Sequence, residues 1–151
     1  MNKYLRLILS IAVCEGAGLI GSIFILSSVN TWYLTLNKPF FNPPGWFFGP
    51  VWTTLYLLMG VSLYLVCGKK NADLKWFWIQ LVLNSAWSII FFGLKSPVLA
   101  FIIIVILWVS IFKTIVDFRK VNKRASYLLY PYLAWVSLAS LLNLSIILLN
   151  K

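Results

Sequence analysis

Long apolar stretches alternate along the chain with short polar breaks, and within several stretches the few polar residues recur every three or four positions. Five stretches, Leu7–Ser27, Trp46–Cys67, Trp76–Leu94, Pro97–Val116 and Ala125–Asn150, come close to the roughly 20 apolar residues that a helix needs to cross a hydrocarbon core about 30 Å thick. The pattern predicts an all-α membrane protein: a bundle of five transmembrane helices, with residues 1–151 forming one domain. The breaks are Ser28–Gly45, Gly68–Lys75, Lys95–Ser96 and Asp117–Arg124, and only the first is long enough to carry structure of its own.

Helical spacing puts Trp52, Tyr56 and Gly60 on one face of the second predicted helix. Gln80, Asn84, Trp87, Ser88 and Phe91 share a face of the third, and Pro131, Trp135, Ala139 and Asn143 a face of the fifth. A carboxamide in lipid has no water to bond, so Gln80, Asn84 and Asn143 are expected to turn inward and find partners there. Between Ala100 and Val109 the fourth stretch offers nothing polar except the Trp108 indole N–H, and it reads as a packing wall. Trp32, Tyr33, Trp76, Trp78, Tyr127 and Tyr130 are expected at headgroup level, where indoles and phenols gather. Trp52 and Trp135 share stripes with interior polar groups and are the better pocket candidates.

Composition strengthens the membrane reading. Of 151 residues, 62% are hydrophobic and 11% charged, too little polar surface to cover a water-soluble domain. Thirteen Lys and Arg against three acids give a formal charge of +10. These cations lie in clusters between apolar runs, as topology signals do, so no nucleic-acid partner is expected. With five spans, Lys3, Arg6, Lys69, Lys70, Lys75, Lys113, Arg119, Lys120, Lys123 and Arg124 fall on one side, against Lys38, Lys95 and Lys151 on the other. The positive-inside rule then puts the N-terminus in the cytoplasm and the first loop and C-terminus outside. Lys3 and Arg6 ahead of an apolar run ending at Val13-Cys14 also resemble a lipoprotein signal, but Val13 is too large for the cleavage box and the run continues to Ser27, so the segment reads as a first span.

Candidate chemistry is sparse. With no His, and Cys14 and Cys67 the only cysteines, structural zinc, His-ligated haem, a histidine base and a Ser-His-Asp triad are excluded or starved of ligands. Gly16-Ala17-Gly18-Leu19-Ile20-Gly21 spells a dinucleotide fingerprint, yet it lacks the strand–turn–helix setting and an acid about 20 residues on. It reads instead as a small-residue face, Gly16, Ala17, Gly18, Gly21 and Ser22, for close helix packing. Glu15 lies deep in the first span, where an ionised carboxylate costs about 2.5–3.5 kcal/mol on insertion scales. It is either a proton- or cation-coupling group or a protonated, hydrogen-bonded packing residue. The first loop mixes Pro39, Pro43 and Pro44 with Trp32, Tyr33, Phe40, Phe41 and Trp46, a stiff segment that forms either a lid over the bundle or an interfacial anchor.

The motifs Trp32-Tyr33, Leu36, Lys38-Pro39 and Pro43-Pro44, then Gly49-Pro50-Val51-Trp52-Thr53-Thr54-Leu55-Tyr56 with Met59-Gly60, resemble the TspO/translocator protein family of tryptophan-rich sensory and peripheral benzodiazepine receptor-like proteins. So do Gln80-Leu81, Leu83-Asn84, Trp87 and Phe91-Phe92-Gly93, and Leu128 through Trp135 with Leu142-Asn143. The likeness covers nearly the whole chain in order. It implies a five-helix bundle, usually a homodimer, with a pocket on the first-loop side for porphyrins and similar hydrophobic molecules; the expected location is a bacterial cytoplasmic membrane. By matching motif, Trp52, Tyr56, Asn84, Trp87 and Trp135 would line that pocket, with Trp32 and Pro43 in the lid. Leu144-Ser145-Ile146-Ile147-Leu148 stands where animal members carry their cholesterol motif, so sterol binding through it is not implied. Phe41 replaces a Trp common after the Lys-Pro of the loop, and no acid lies between Asp73 and Asp117, where the family often has a fourth-helix aspartate.

Two functional readings follow. In the first, a flat and largely apolar tetrapyrrole is sandwiched by indoles and phenols, the absence of His favouring a metal-free porphyrin over ligated haem. No cofactor is called for; the porphyrin is ligand or substrate, and the resemblance adds sensing, transport or light-dependent breakdown beside Trp52 and Trp135 as outputs. In the second, Glu15 exchanges protons for lipophilic cations in a secondary transporter with an aromatic cage. A structural or regulatory membrane subunit with a vestigial pocket is a third possibility.

Overall fold

The computed structural model describes residues 1–151 and is all helical. Its helices are α1 (Lys3–Ser28), α2 (Gly45–Val66), α3 (Lys75–Ser88), α4 (Pro97–Val121), α5 (Lys123–Tyr127) and α6 (Tyr130–Leu149). A 3₁₀ turn, Trp32–Thr35, sits in the first loop, and a π turn, Ile89–Gly93, extends α3. Five segments are long and apolar enough to cross a membrane, Lys3–Ser28, Gly45–Val66, Lys75–Gly93, Pro97–Val121 and Lys123–Leu149, one on each stretch read from the sequence.

The boundaries that shift do so for local reasons. Helix α1 starts at Lys3, ahead of the expected Leu7, because the Asn2 side chain accepts from the Tyr4 N–H at 2.8 Å and caps it. Helix α4 runs past Val116 to Val121, its last turn carrying Arg119 and Lys120 against the negative end of the helix dipole. The fifth span is two helices. Asn122 caps α5 by accepting from the Arg124 N–H at 2.9 Å, and the break at Leu128-Leu129 falls where Pro131 has no N–H to continue the ladder.

The spans pack in a ring: α2 against α1, α1 against α3, α3 against α4, α4 against α6, with α5 closing back on α2. Ser62 on α2 donates to the Ala125 carbonyl on α5 at 2.7 Å, fastening that end. Toward the first loop the backbones of α2 and α6 stand apart, and aromatic side chains fill the gap. Helices α1 and α2 close tightly at Gly60, where a Cβ would come within 2.5 Å of the Ile11 Cα, and at Gly18, where one would collide with the Tyr56 ring. Gly21 meets Ser88 on α3, but Gly16 has nothing beside it, so the small-residue face of α1 is used at two of its three glycines. Ala100, Ile104, Leu107, Ile111 and Phe118 turn α4 inward, while Ile102, Val105, Ile106, Val109 and Phe112 face out as a lipid-contacting row. Trp108 ties this wall to α6 by donating to Ser137 Oγ at 2.8 Å.

Candidate functional site

The loop between α1 and α2 folds back over one end of the bundle. Lys38 Nζ donates to the carbonyls of Tyr33 and Leu36 at 2.9 and 3.0 Å and lies 4.9 Å from the Tyr33 ring centre, so the loop is stitched to itself. It is also clasped to the end of α6: the Asn37 N–H donates to Asn150 Oδ1 at 2.9 Å, and Asn150 Nδ2 donates to the Asn37 carbonyl at 2.8 Å. Pro43 is half-buried in this segment, and Trp32 meets Phe91 edge-on at 5.7 Å. Tyr33, expected at headgroup level, is instead 5% exposed, because the 3₁₀ turn directs it into the bundle and leaves Leu34 outside. Its ring stands 5.6 Å from Phe92 and 6.4 Å from Phe48, and its hydroxyl donates to Asn42 Oδ1 at 2.8 Å. Burial pushes the phenol up to about 12, so it stays neutral at physiological pH and keeps that donor.

Beneath the lid four elements converge. Trp52 comes from α2, Trp87 from α3, Phe91 and Phe92 from the π turn, and Trp135 and Asn143 from α6, with Tyr33 above them and Ile25 and Phe48 at the side. Trp52 and Trp135 meet edge-on at 6.3 Å, and Trp87 stacks on Phe91 at 5.3 Å. The Trp87 indole donates to Asn143 Oδ1 at 3.0 Å, and Asn143 Nδ2 donates to the Pro97 carbonyl at 2.8 Å, so both groups are satisfied inside. The Trp135 N–H is buried without a partner. The sequence stripes do meet, but the hollow they enclose measures about 30 Å³, space for little more than a water molecule.

Asn84 and Tyr56 lie deeper than this chamber. Tyr56 donates to Asn84 Oδ1 at 2.6 Å, Asn84 Nδ2 donates to the Tyr132 hydroxyl at 2.6 Å, and Tyr132 donates to Gln80 Oε1 at 2.7 Å. The three carboxamides thus find interior partners, as expected in lipid, but Asn84 serves as the bolt between α2, α3 and α6 and does not line the chamber. Tyr132 at the centre of this chain, and Phe48 and Phe92 on the chamber wall, were not singled out by spacing. Pro131, placed on the same stripe as Trp135, is exposed where it starts α6.

A second cavity opens between α1 and α2. It measures about 410 Å³, within the range of small-molecule sites, and shares Ile25, Phe48 and Trp52 with the chamber as a common wall. Glu15, Ser22, Thr53, Tyr56 and Ser88 give it polar groups, and Trp46 flanks its mouth at 74% exposure. The closest approach of the two helices, Gly60 against Ile11, lies toward the other end of the bundle, while Gly18 and Tyr56 belong to the cavity's own lining.

Five apolar spans and a lidded knot of indoles define a class of protein: a small multi-pass helical membrane protein with an aromatic cavity at one end. The profile of the TspO/MBR family matches residues 10–149, and the chain belongs to that family. It is 47% identical to the tryptophan-rich protein TspO of Chlorobaculum tepidum over 99% of both chains, and 44% identical to that of Archaeoglobus fulgidus over 97% of both. Similarity extends to the human translocator protein, 38% identical over 82% of this chain and 78% of that one.

Proposed function

We propose that this protein binds a flat, hydrophobic tetrapyrrole of the porphyrin type in the lidded aromatic chamber. The observation that carries the reading is the convergence of Trp52, Trp87 and Trp135 beneath a docked lid, with the Trp135 N–H buried and unpaired. Indole and phenol faces suit a macrocycle, each offset or edge contact adding about 0.5–1.5 kcal/mol beyond burial. Anionic substituents have two donors available: the free Trp135 N–H and Lys38, whose ammonium uses two of its three hydrogens within the lid. At about 30 Å³ the chamber must widen to admit such a ligand. The lid is the part that yields, since its clasp to α6 consists of exposed hydrogen bonds worth about 0.5–1.5 kcal/mol each, and lifting it withdraws Tyr33.

Sensing, transport or photo-oxidation of the pigment all lie downstream of that binding step. The same reading makes residues 1–151 one domain, puts the lid outside and the cation-rich loops in the cytoplasm of a bacterial cell, and pairs the chain as a homodimer. Titration of the purified protein in detergent with protoporphyrin, followed by tryptophan fluorescence, tests the binding step. Saturable quenching is expected, with affinity reduced about two- to tenfold in Trp135→Phe; quenching that never saturates, or is unchanged in the variant, refutes the assignment.

A further inference from the structure

The geometry points to a second binding site, distinct from the chamber: the cleft between α1 and α2 takes a lipophilic cation from the bilayer, with Glu15 as its counter-charge. Glu15 stands midway along the 26 residues of α1 and lines the cleft. The only ion pair in the protein joins Lys120 to Asp117, and no Lys or Arg lines this cavity, so the carboxylate has no internal cation. A carboxylate at that depth persists only where a partner or a polar cavity receives it. The other polar groups here, Ser22, Thr53, Ser88 and the Tyr56 hydroxyl, are neutral and leave its charge uncompensated.

The walls match the same class of ligand. Phe48, Trp52 and Tyr56 recur every four residues along one face of α2, with Trp46 at the mouth, and line the cleft with Glu15, Leu19 and Ser22 of α1; Trp52 stacks on Tyr56 at 5.8 Å. Aromatic faces around a carboxylate attract a bulky organic cation by its charge and its apolar surface together. Trp46 at the mouth is largely exposed and faces outward with Leu19 and Leu26, on a flank of the bundle where a membrane-dissolved molecule arrives laterally. The inference is independent of the tetrapyrrole reading, because an anionic ligand is repelled by Glu15 and the two cavities are separated by Ile25, Phe48 and Trp52.

The test uses tetraphenylphosphonium and a neutral molecule of the same shape, tetraphenylmethane, against the full chain in lipid nanodiscs. The expected result is saturable uptake of the cation at one per chain, preferred over the neutral analogue and weakened about tenfold or more in Glu15→Gln, as loss of a charged partner implies. Protoporphyrin quenching should be unchanged in Glu15→Gln, which also shows that the variant is folded. No saturable cation uptake, or equal uptake by native protein and Glu15→Gln, overturns the proposal. If Glu15→Gln does not fold, the native protein's preference for the cation over the neutral analogue decides: preference supports the site, and equal uptake rejects it.

Discussion

The two cavities share a wall and differ in almost everything else. The chamber under the lid is lined by eleven hydrophobic residues and Asn143, is packed nearly solid, and has a cation, Lys38, in its roof. The cleft between α1 and α2 is open, holds about 410 Å³, and carries a carboxyl group with no ion-pair partner, Glu15. Aromatic residues alone do not make a void: Trp52, Trp87, Phe91 and Trp135 attract one another and close up unless a ligand separates them. The cleft lies away from the point where Gly60 brings α2 against the Ile11 backbone of α1, and space remains between the same two helices there. Packing therefore sets which cavity is empty, and charge sets what each can receive.

The most damaging change to this contrast is Gly60→Val. Its side chain meets the Ile11 backbone, which cannot swing aside like a flexible side chain, so α1 is forced off α2 and both cavities lose a wall. Overpacking of this kind costs about 1–3 kcal/mol or more, and the expected outcome is a sharp fall in the monodisperse fraction on size exclusion and in the thermal midpoint. Asn84→Leu comes next. It strands the Tyr56 hydroxyl, leaves Tyr132 with Gln80 as its one remaining partner, and should lower stability by about 1–3 kcal/mol, read by thermal unfolding in detergent.

Phe48→Ala is the mildest and the most specific, because it opens the partition that Phe48 shares with Ile25 and Trp52 without touching Glu15 or Lys38. Protoporphyrin and tetraphenylphosphonium, expected to bind native protein independently, should then compete, each shifting the other's midpoint about threefold or more in a two-ligand titration. Independence preserved in Phe48→Ala would mean that the wall lies elsewhere.

The span number and the interior turn of Gln80, Asn84 and Asn143 were legible in the sequence because lipid imposes them: each span needs its length, and each amide needs a partner. Trp52 and Trp135 were legible for the same reason, as neighbours of those amides on one stripe. Tyr33 was not, since a 3₁₀ turn inside a loop follows no helical period. Nor was Phe92, which the π turn brings onto the chamber wall beside Phe91, because that turn inserts a residue and breaks the 3.6-residue spacing. Glu15 declared its cost from sequence, but whether it faced protein, cavity or lipid depended on the packing of α1 against α2, which contacts made across the bundle decide. Asn84 sits on the same stripe yet bolts α2, α3 and α6 together below the chamber, a placement that helical spacing does not distinguish from lining it.

The eight tryptophans, Trp32, Trp46, Trp52, Trp76, Trp78, Trp87, Trp108 and Trp135, are distributed over both ends of the molecule and can report where a pigment sits. Illumination of the protoporphyrin-saturated protein, followed by peptide mass spectrometry, maps which indoles are oxidised by the excited macrocycle. Binding under the lid predicts oxidation of Trp52, Trp87 and Trp135 ahead of Trp76, Trp78 and Trp108. Oxidation that falls first on Trp76, Trp78 and Trp108 would contradict a chamber site for the pigment.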